Sequence, residues 1–106
     1  MIICMLTICD KTHNMKMQAK IFRTLELLEM KGNELREPYS KHLKDGIFEL
    51  RINVGLNIAR ILYFFVVGNK VILTNRFIKK VQKTPVKEIN LAKKYRIDYR
   101  KRNKEE

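Results

Sequence analysis

Arg51 and Arg60 are the residues whose types and spacing most directly suggest chemistry. Each lies in a run with the apolar pattern of a strand, and a turn around Gly55 separates the two runs. If that turn has an even number of residues centred on Gly55 and Leu56, Arg51 lies directly opposite Arg60. Two like charges opposed across a strand pair are destabilising, so an anion is expected between them. A five-residue turn would shift the register and break this opposition. The alternative interpretation is that both arginines are splayed to solvent.

A second group of basic residues begins where the next strand ends. Gly68-Asn69 is a two-residue hairpin signal, and a turn of that size places Phe77 beside Arg60. The segment Phe-Ile-Lys-Lys-Val-Gln-Lys-Thr at 77–84 then starts next to the arginines. The sequence therefore predicts a positive cleft on one sheet face. Its expected members are Arg51, Arg60, Lys79, Lys80 and Lys83.

Cations are the main chemical resource of this sequence, because other catalytic groups are few. His13 and His42 are expected in surface or structural positions, the acids are scattered, and no glycine-rich phosphate loop is present, so we expect no metal and no cofactor. RNA carries its own nucleophile, the 2′-hydroxyl, whose attack on the adjacent phosphate needs orientation and charge neutralisation. Arginine and lysine provide both, and a lysine or tyrosine carries a proton when its pKa is shifted. A metal-independent ribonuclease is chemically reasonable.

The net charge of +12 also points to a polyanionic partner. Between Arg76 and Lys104 there are twelve basic and two acidic residues, whereas the first 75 residues carry eleven and seven. Nucleic acid, the ribosome or an acidic protein would fit this charge. The alternative is a solvated basic helix without a ligand.

The 106 residues provide for one domain, 1–106, with an atypical N-terminal segment 1–14 and a frayed basic tail 100–106. No apolar run has the length of a membrane span, and the N-terminus lacks the features of a secretory signal. Cys4 and Cys9 match no zinc pattern and are expected to be reduced thiols. A cytoplasmic location follows as the default expectation.

The elements that position the basic residues follow from hydrophobic periodicity. A helix is predicted from about Asn14 to Lys31, with Gly32 as its C-cap, and a short helical turn after Pro38. A change to period two predicts three antiparallel strands over residues 47–75, with the run from Ile61 covered on both faces. Thr84-Pro85 then begins a last helix. The predicted class is α+β, with N-terminal helices, a twisted antiparallel sheet of three to four strands and a C-terminal helix.

Three blocks of this sequence resemble the phage-derived, HigB-like branch of the RelE/ParE toxin superfamily, over about Met17 to Tyr99. They are the run from Glu37 to Ile52 containing Phe-Glu-Leu-Arg, the run Ala-Arg-Ile-Leu-Tyr-Phe-Phe at 59–65, and the run Phe-Ile-Lys-Lys-Val-Gln-Lys-Thr-Pro at 77–85 with Glu88, Ile89 and Ala92. The resemblance implies a RelE-like fold and cleavage of mRNA in the ribosomal A site by 2′-hydroxyl attack. It also implies a helix-turn-helix, HigA-like antitoxin as partner.

By this resemblance Arg51 and Arg60 hold the scissile phosphate, Lys79 and Lys80 add positive charge, and Lys83 or Tyr99 moves a proton. Phe77 either stacks on a base or belongs to the core. The remaining residues expected to contact RNA are Arg76, Gln82, Thr84, Lys87, Lys94 and Arg96.

Two departures from the family pattern bear on activity. Relatives usually open with a strand, and here Met1–Asn14 is a poor strand sequence, so the first strand is expected to be absent or replaced. Relatives commonly carry glycine just before Phe77, where this chain has Arg76.

Two other functions remain open: a ParE-like topoisomerase inhibitor, and a degenerate, non-enzymatic basic module that binds nucleic acid or the ribosome.

Overall fold

The computed structural model describes residues 2–4, 15–54, 57–66, 70–78 and 84–103. In chain order the elements are β1 (Ile2–Cys4), α1 (Met15–Lys31), a 3-10 turn (Gly32–Glu34), β2 (Ser40–Lys44), β3 (Ile47–Val54), β4 (Asn57–Val66), β5 (Lys70–Ile78) and α2 (Val86–Asn103). Neither helix of the described residues is long and apolar enough to cross a membrane.

The described strands form one five-stranded sheet in the order β1-β5-β4-β3-β2. Strands β2 to β5 are an antiparallel meander, and β1 is parallel to β5. The predicted α+β class, antiparallel sheet and C-terminal helix are therefore confirmed. Strand β4 lies in the middle of the sheet, as its apolar sequence predicts, because both of its faces must be covered.

Two expectations about the first half of the chain are wrong. The segment after Pro38 is not a helical turn, since Ser40–Lys44 pairs with β3 as a strand. Its connection, Asp45-Gly46, has φ values of 53° and 80°, which suit a tight hairpin and twist with the strands. The N-terminal strand is present as β1, because Ile2–Cys4 adds to the free edge of β5.

The helix boundaries are close to those predicted. Helix α1 ends at Lys31, and Gly32 follows with a φ of +58°, the left-handed geometry expected of a C-cap. Helix α2 continues through Asn103 and so includes the first residues of the basic tail 100–106. An ion pair between Arg102 and Asp98, one turn apart, supports its last turn.

Each face of the sheet is covered by one helix. The α1 face has a core of buried residues: Ile21, Leu28, Leu35, Leu50, Ile52, Ala59, Ile61, Tyr63, Val71 and Leu73. The α2 face has a smaller one: Ile47, Leu62, Phe64, Ile72, Ala92 and Tyr99. Each fully buried large aliphatic or aromatic side chain contributes about 1.5–3 kcal/mol to folding. The smaller core leaves the end of the α2 face near Arg51 and Arg60 to polar residues.

The β2–β3 hairpin is attached to the middle of α2. Lys93 Nζ lies 2.5 Å from Asp45 Oδ2, and Arg96 Nη1 donates to the Asp45 carbonyl at 2.6 Å. The hydrogen bond and charge of Lys93 lower the pKa of Asp45 below its ordinary 3.8, which burial only partly opposes. These contacts fix the position of α2 on the sheet and therefore the point at which the helix begins.

We expect Lys93→Met to raise the pKa of Asp45 toward its ordinary value, measured by NMR titration of its carboxyl group. Because the folded pKa is the lowered one, the pair stabilises the fold above the ordinary value and loses this effect as the pH falls through the folded pKa. Lys94→Met, next in sequence and exposed, serves as control. An unchanged Asp45 titration in Lys93→Met would contradict the assignment.

Candidate active site

Arg51 and Arg60 are directly opposite each other in neighbouring strands. The β3–β4 register pairs Arg51 with Arg60 and continues to the pair of Val54 and Asn57, which confirms the even turn that the sequence predicts. Residues opposed in this way share a sheet face. That face is the one covered by α2, because Leu62 and Phe64, which alternate with Arg60 along β4, belong to its core.

Phe77 lies beside Arg60, as predicted, but for a different reason. Val66 pairs with Lys70, so three residues connect the strands instead of the expected two; Gly68 and Asn69 themselves lie outside the described residues. A register shift between Ile61 and Tyr63 then adds one residue to β5 and restores the pair of Arg60 with Phe77. Phe77 is partly buried against the α2 core.

A carboxylate lies between the two arginines. Glu49, two residues before Arg51 on the same strand face, is 0% exposed. Its Oε1 accepts a hydrogen bond from Arg51 Nε at 3.2 Å and lies 3.7 Å from Arg60 Nε, and its Oε2 accepts a hydrogen bond from the Thr84 hydroxyl. The anion that the sequence requires between the arginines is therefore present in the free protein. The sequence pattern assigns no role to Glu49, although its place two residues before Arg51, on the same strand face, was the available signal.

The two arginines differ in depth. Arg60 is 7% exposed, and burial, with a smaller contribution from Arg51, lowers its pKa, while Glu49 raises it. Its Nε is buried and has no hydrogen-bond partner among the described residues. The side chain of Arg51 is 25% exposed and also lies 3.7 Å from the mostly exposed carboxylate of Glu37. Arg60 is the inner cation of the pair and Arg51 the outer one.

Thr84 marks where the chain returns to this site. The strand β5 ends at Ile78, which pairs with Ala59, the residue next to Arg60. The chain is described again from Thr84, which is buried and donates to Glu49. Both ends of the intervening segment are thus next to the arginine pair. Four of the predicted site residues in that segment lie outside the described residues: Lys79, Lys80, Gln82 and Lys83.

Other predicted site residues lie away from the arginines. Tyr99 is 6% exposed, and its ring lies 6.0 Å from that of Phe64. Phe64 is itself about 13 Å along β4 from Arg60. Arg76 pairs with Ile61 and so alternates to the α1 face, in ordinary strand geometry. Arginine at this position therefore causes no backbone strain.

The basic residues of α2 are spread over its surface. Lys87, in the first turn and nearest to Thr84, is exposed, and so is Lys94 further along. Arg96 contacts the β2–β3 hairpin. The structure therefore brings together Arg51, Arg60, Phe77 and Thr84, with Lys87 near them, and separates Tyr99, Arg76, Lys94 and Arg96 from this group.

One tyrosine outside the predicted site has a raised pKa. Burial raises the pKa of Tyr63, and a hydrogen bond with Ser40 partly opposes this. Tyr63 belongs to the α1 core, on the other face from Arg60. It is therefore a structural residue. In the part of the chain that the structure describes, no three histidines, cysteines or acids are placed to hold a metal ion.

The fold and the site define a small α+β protein with a pair of opposed arginines, one buried and one partly exposed, on one face of its sheet. The family model for the phage-derived protein Gp49-like family (DUF891) matches residues 4–96, so the chain belongs to this family. It is a RelE/HigB-like toxin family, which agrees with the resemblance found in the sequence. No curated protein matches the chain.

Proposed function

We propose that this protein is the toxin of a toxin–antitoxin pair and that it cleaves mRNA in the ribosomal A site. The observation that carries the proposal is the convergence of Arg51 and Arg60 on one carboxylate oxygen, with both ends of the lysine segment beside them. Membership in a RelE/HigB-like toxin family supports the same reading. The HigB-like branch and the cytoplasmic location are part of the proposal.

The reaction we propose needs no metal. The 2′-oxygen of the substrate forms a bond to the adjacent phosphorus, the 5′-oxygen of the next nucleotide leaves, and the products are a 2′,3′-cyclic phosphate and a 5′-hydroxyl. One proton leaves the 2′-hydroxyl and one is delivered to the 5′-oxygen. Arg60 and Arg51 neutralise the charge that develops on the phosphate oxygens. Lys79, Lys80 and Lys83 are the candidates for added charge and proton transfer, and Phe77 for contact with a base.

The proposed partner is a helix-turn-helix, HigA-like antitoxin that holds the toxin inactive. The net charge of +12 suits both this partner and the ribosome, because a basic protein is attracted to acidic groups and phosphates. Beyond the arginine pair we propose RNA contacts for Gln82 and Lys87. Arg76, Lys94 and Arg96 lie away from the arginine pair, and Thr84 is buried against Glu49, so we propose no RNA contact for these four.

The test is a ribosome assay with a defined mRNA codon in the A site. We expect the purified protein to produce new RNA 5′ ends at fixed positions within that codon, and none on the same mRNA without ribosomes. Intact RNA together with inhibition of DNA gyrase would replace the proposal with a ParE-like function. Binding to ribosomes without cleavage or gyrase inhibition would replace it with a non-enzymatic basic module.

A further inference from the structure

We propose that Glu49 is a positioning residue of this site, which orients both guanidinium groups and fixes the start of α2 to them. The inference deepens the proposed function and relies on it only where RNA cleavage is measured. It starts from burial: Glu49 is a fully buried carboxylate, yet it lies among groups that face the candidate phosphate site. A buried charge is costly unless it is paired and hydrogen-bonded, and Glu49 is both.

Glu49 contacts each arginine through the Nε atom of its guanidinium group. Its Oε1 accepts a hydrogen bond from Arg51 Nε at 3.2 Å and forms an ion pair, longer than a hydrogen bond, with Arg60 Nε at 3.7 Å. A guanidinium has five N–H donors in a fixed plane, so holding its Nε fixes where the Nη groups are directed. The Nη groups are the ones best placed to bind two oxygens of one phosphate. Glu49 therefore orients the arginines without using these donors.

The second oxygen of Glu49 connects the arginine pair to α2. It accepts from the hydroxyl of Thr84, two residues before the helix. The first turn of α2 is held separately, because Asn75 Nδ2 donates to the Glu88 carbonyl at 3.2 Å and to its carboxylate at 2.9 Å. One carboxylate and one amide thus fix the helix start relative to Arg60, and with it the end of the lysine segment.

The same contacts argue against Glu49 as a general base. A base must have an oxygen within hydrogen-bond distance of the proton that it removes. Here one oxygen serves Arg51 and Arg60 and the other serves Thr84. Glu49 is therefore expected to act through these neighbours and to leave the proton transfer to other groups.

The first experiment measures RNA cleavage by Glu49→Gln, which keeps the shape but loses the charge. We expect kcat to fall about 10- to 100-fold, as for other residues that orient catalytic groups, with a much smaller change in KM. The pH–rate profile should keep its shape. Loss of its acidic limb would identify Glu49 as the base and overturn the inference, as would an unchanged kcat. Glu34→Gln, at an exposed glutamate of the 3-10 turn, is the control.

A matched pair at Thr84 tests the second contact. Thr84→Val removes the hydroxyl at nearly constant shape and should lower kcat, whereas Thr84→Ser keeps the hydroxyl and should retain most of the activity. Thr84→Val should cost less activity in the Glu49→Gln background than in the wild type, because the hydroxyl has then lost its charged acceptor. Full additivity, or equal activity of the valine and serine variants, would contradict the proposed connection.

A spectroscopic experiment separates this inference from the proposed function. In ¹H–¹⁵N spectra of the arginine Nε–H groups, assigned with Arg51→Lys and Arg60→Lys, we expect shifted, slowly exchanging signals for both arginines. Glu49→Gln should move them toward the exposed arginines, and Glu34→Gln should not. If the wild-type protein does not cut RNA but these shifts appear, the proposed function fails and the orienting contact stands. Unchanged arginine signals in Glu49→Gln overturn the inference whether or not RNA is cut.

Discussion

Replacing Arg60 with alanine is expected to reduce kcat/KM for ribosome-dependent RNA cleavage by about 10²–10³-fold, the typical loss when one preorganised donor to a developing oxyanion is removed. Arg60 is the inner cation of the pair, and a charge acts more strongly where water is excluded. Arg60→Lys should restore little activity, because an ammonium group cannot present two parallel N–H donors to one phosphate. The measurement is the initial rate of 5′-end formation on A-site mRNA.

Two further variants serve as comparisons for Arg60→Ala. Arg51→Ala should also lower the rate, but less, because the outer arginine is partly exposed and its charge is more strongly screened. Arg36→Ala should have no effect, since Arg36 is exposed and bonds to the nearby carbonyl of Asn33. Cleavage by Arg60→Ala at the wild-type rate would remove the arginine pair from the mechanism.

The pairing of Arg51 with Arg60 could be predicted because the length and centre of a turn determine which residues of the two strands are opposite each other. The alternation of Phe48, Leu50 and Ile52 fixes which residues of β3 share a face, and a slip by one residue would turn this apolar set away from the core. The parity of the turn at Gly55 then fixes the partner of Arg51. This step needs no long-range information, but the sequence leaves the length of the turn open, and the observed pairing of Val54 with Asn57 decides it.

Phe77 shows how a correct prediction can follow from an incorrect turn. The register near Val66 differs by one residue from the predicted one, and the shift in β5 between Leu73 and Arg76 compensates for it. The extra residue is accommodated where Thr74 donates to the Leu62 carbonyl and Asn75 bonds to Glu88. These partners are far apart in sequence, and hydrophobic periodicity contains no signal for them.

Glu49 and β2 were missed for a related reason. The run Ser40–Lys44 has an exposed, basic edge, which gives it a weak strand pattern, and it becomes a strand because Asp45-Gly46 folds it back onto β3. Glu49 alternates with apolar residues, and this pattern predicts a solvent-facing side chain. Its burial depends on Thr84, 35 residues later, which covers its second oxygen. The sequence predicted the cations of the site but not the internal anion that holds them.

The largest expected effect on stability is that of Glu49→Ala. This substitution leaves Arg60 buried without its counter-charge, and breaking a buried ion pair by removing one partner costs about 3–5 kcal/mol. For a domain of this size, a loss of that order lowers Tm by roughly 10–20 °C. Glu37→Ala is the matched control, because Glu37 also pairs with Arg51 but its side chain is 62% exposed, so its loss should change stability by less than about 0.5 kcal/mol.

A second substitution shows whether the cost comes from the unpaired charge. In Glu49→Ala combined with Arg60→Met, the buried guanidinium is replaced by an apolar side chain of similar length, and part of the lost stability should return, because apolar replacements of buried ion pairs are often neutral or stabilising. Chemical unfolding of the four proteins of this cycle gives the coupling free energy directly. If the double variant is less stable than Glu49→Ala alone, the guanidinium of Arg60 stabilises the fold through contacts other than Glu49, and the carboxylate is not its main counter-charge.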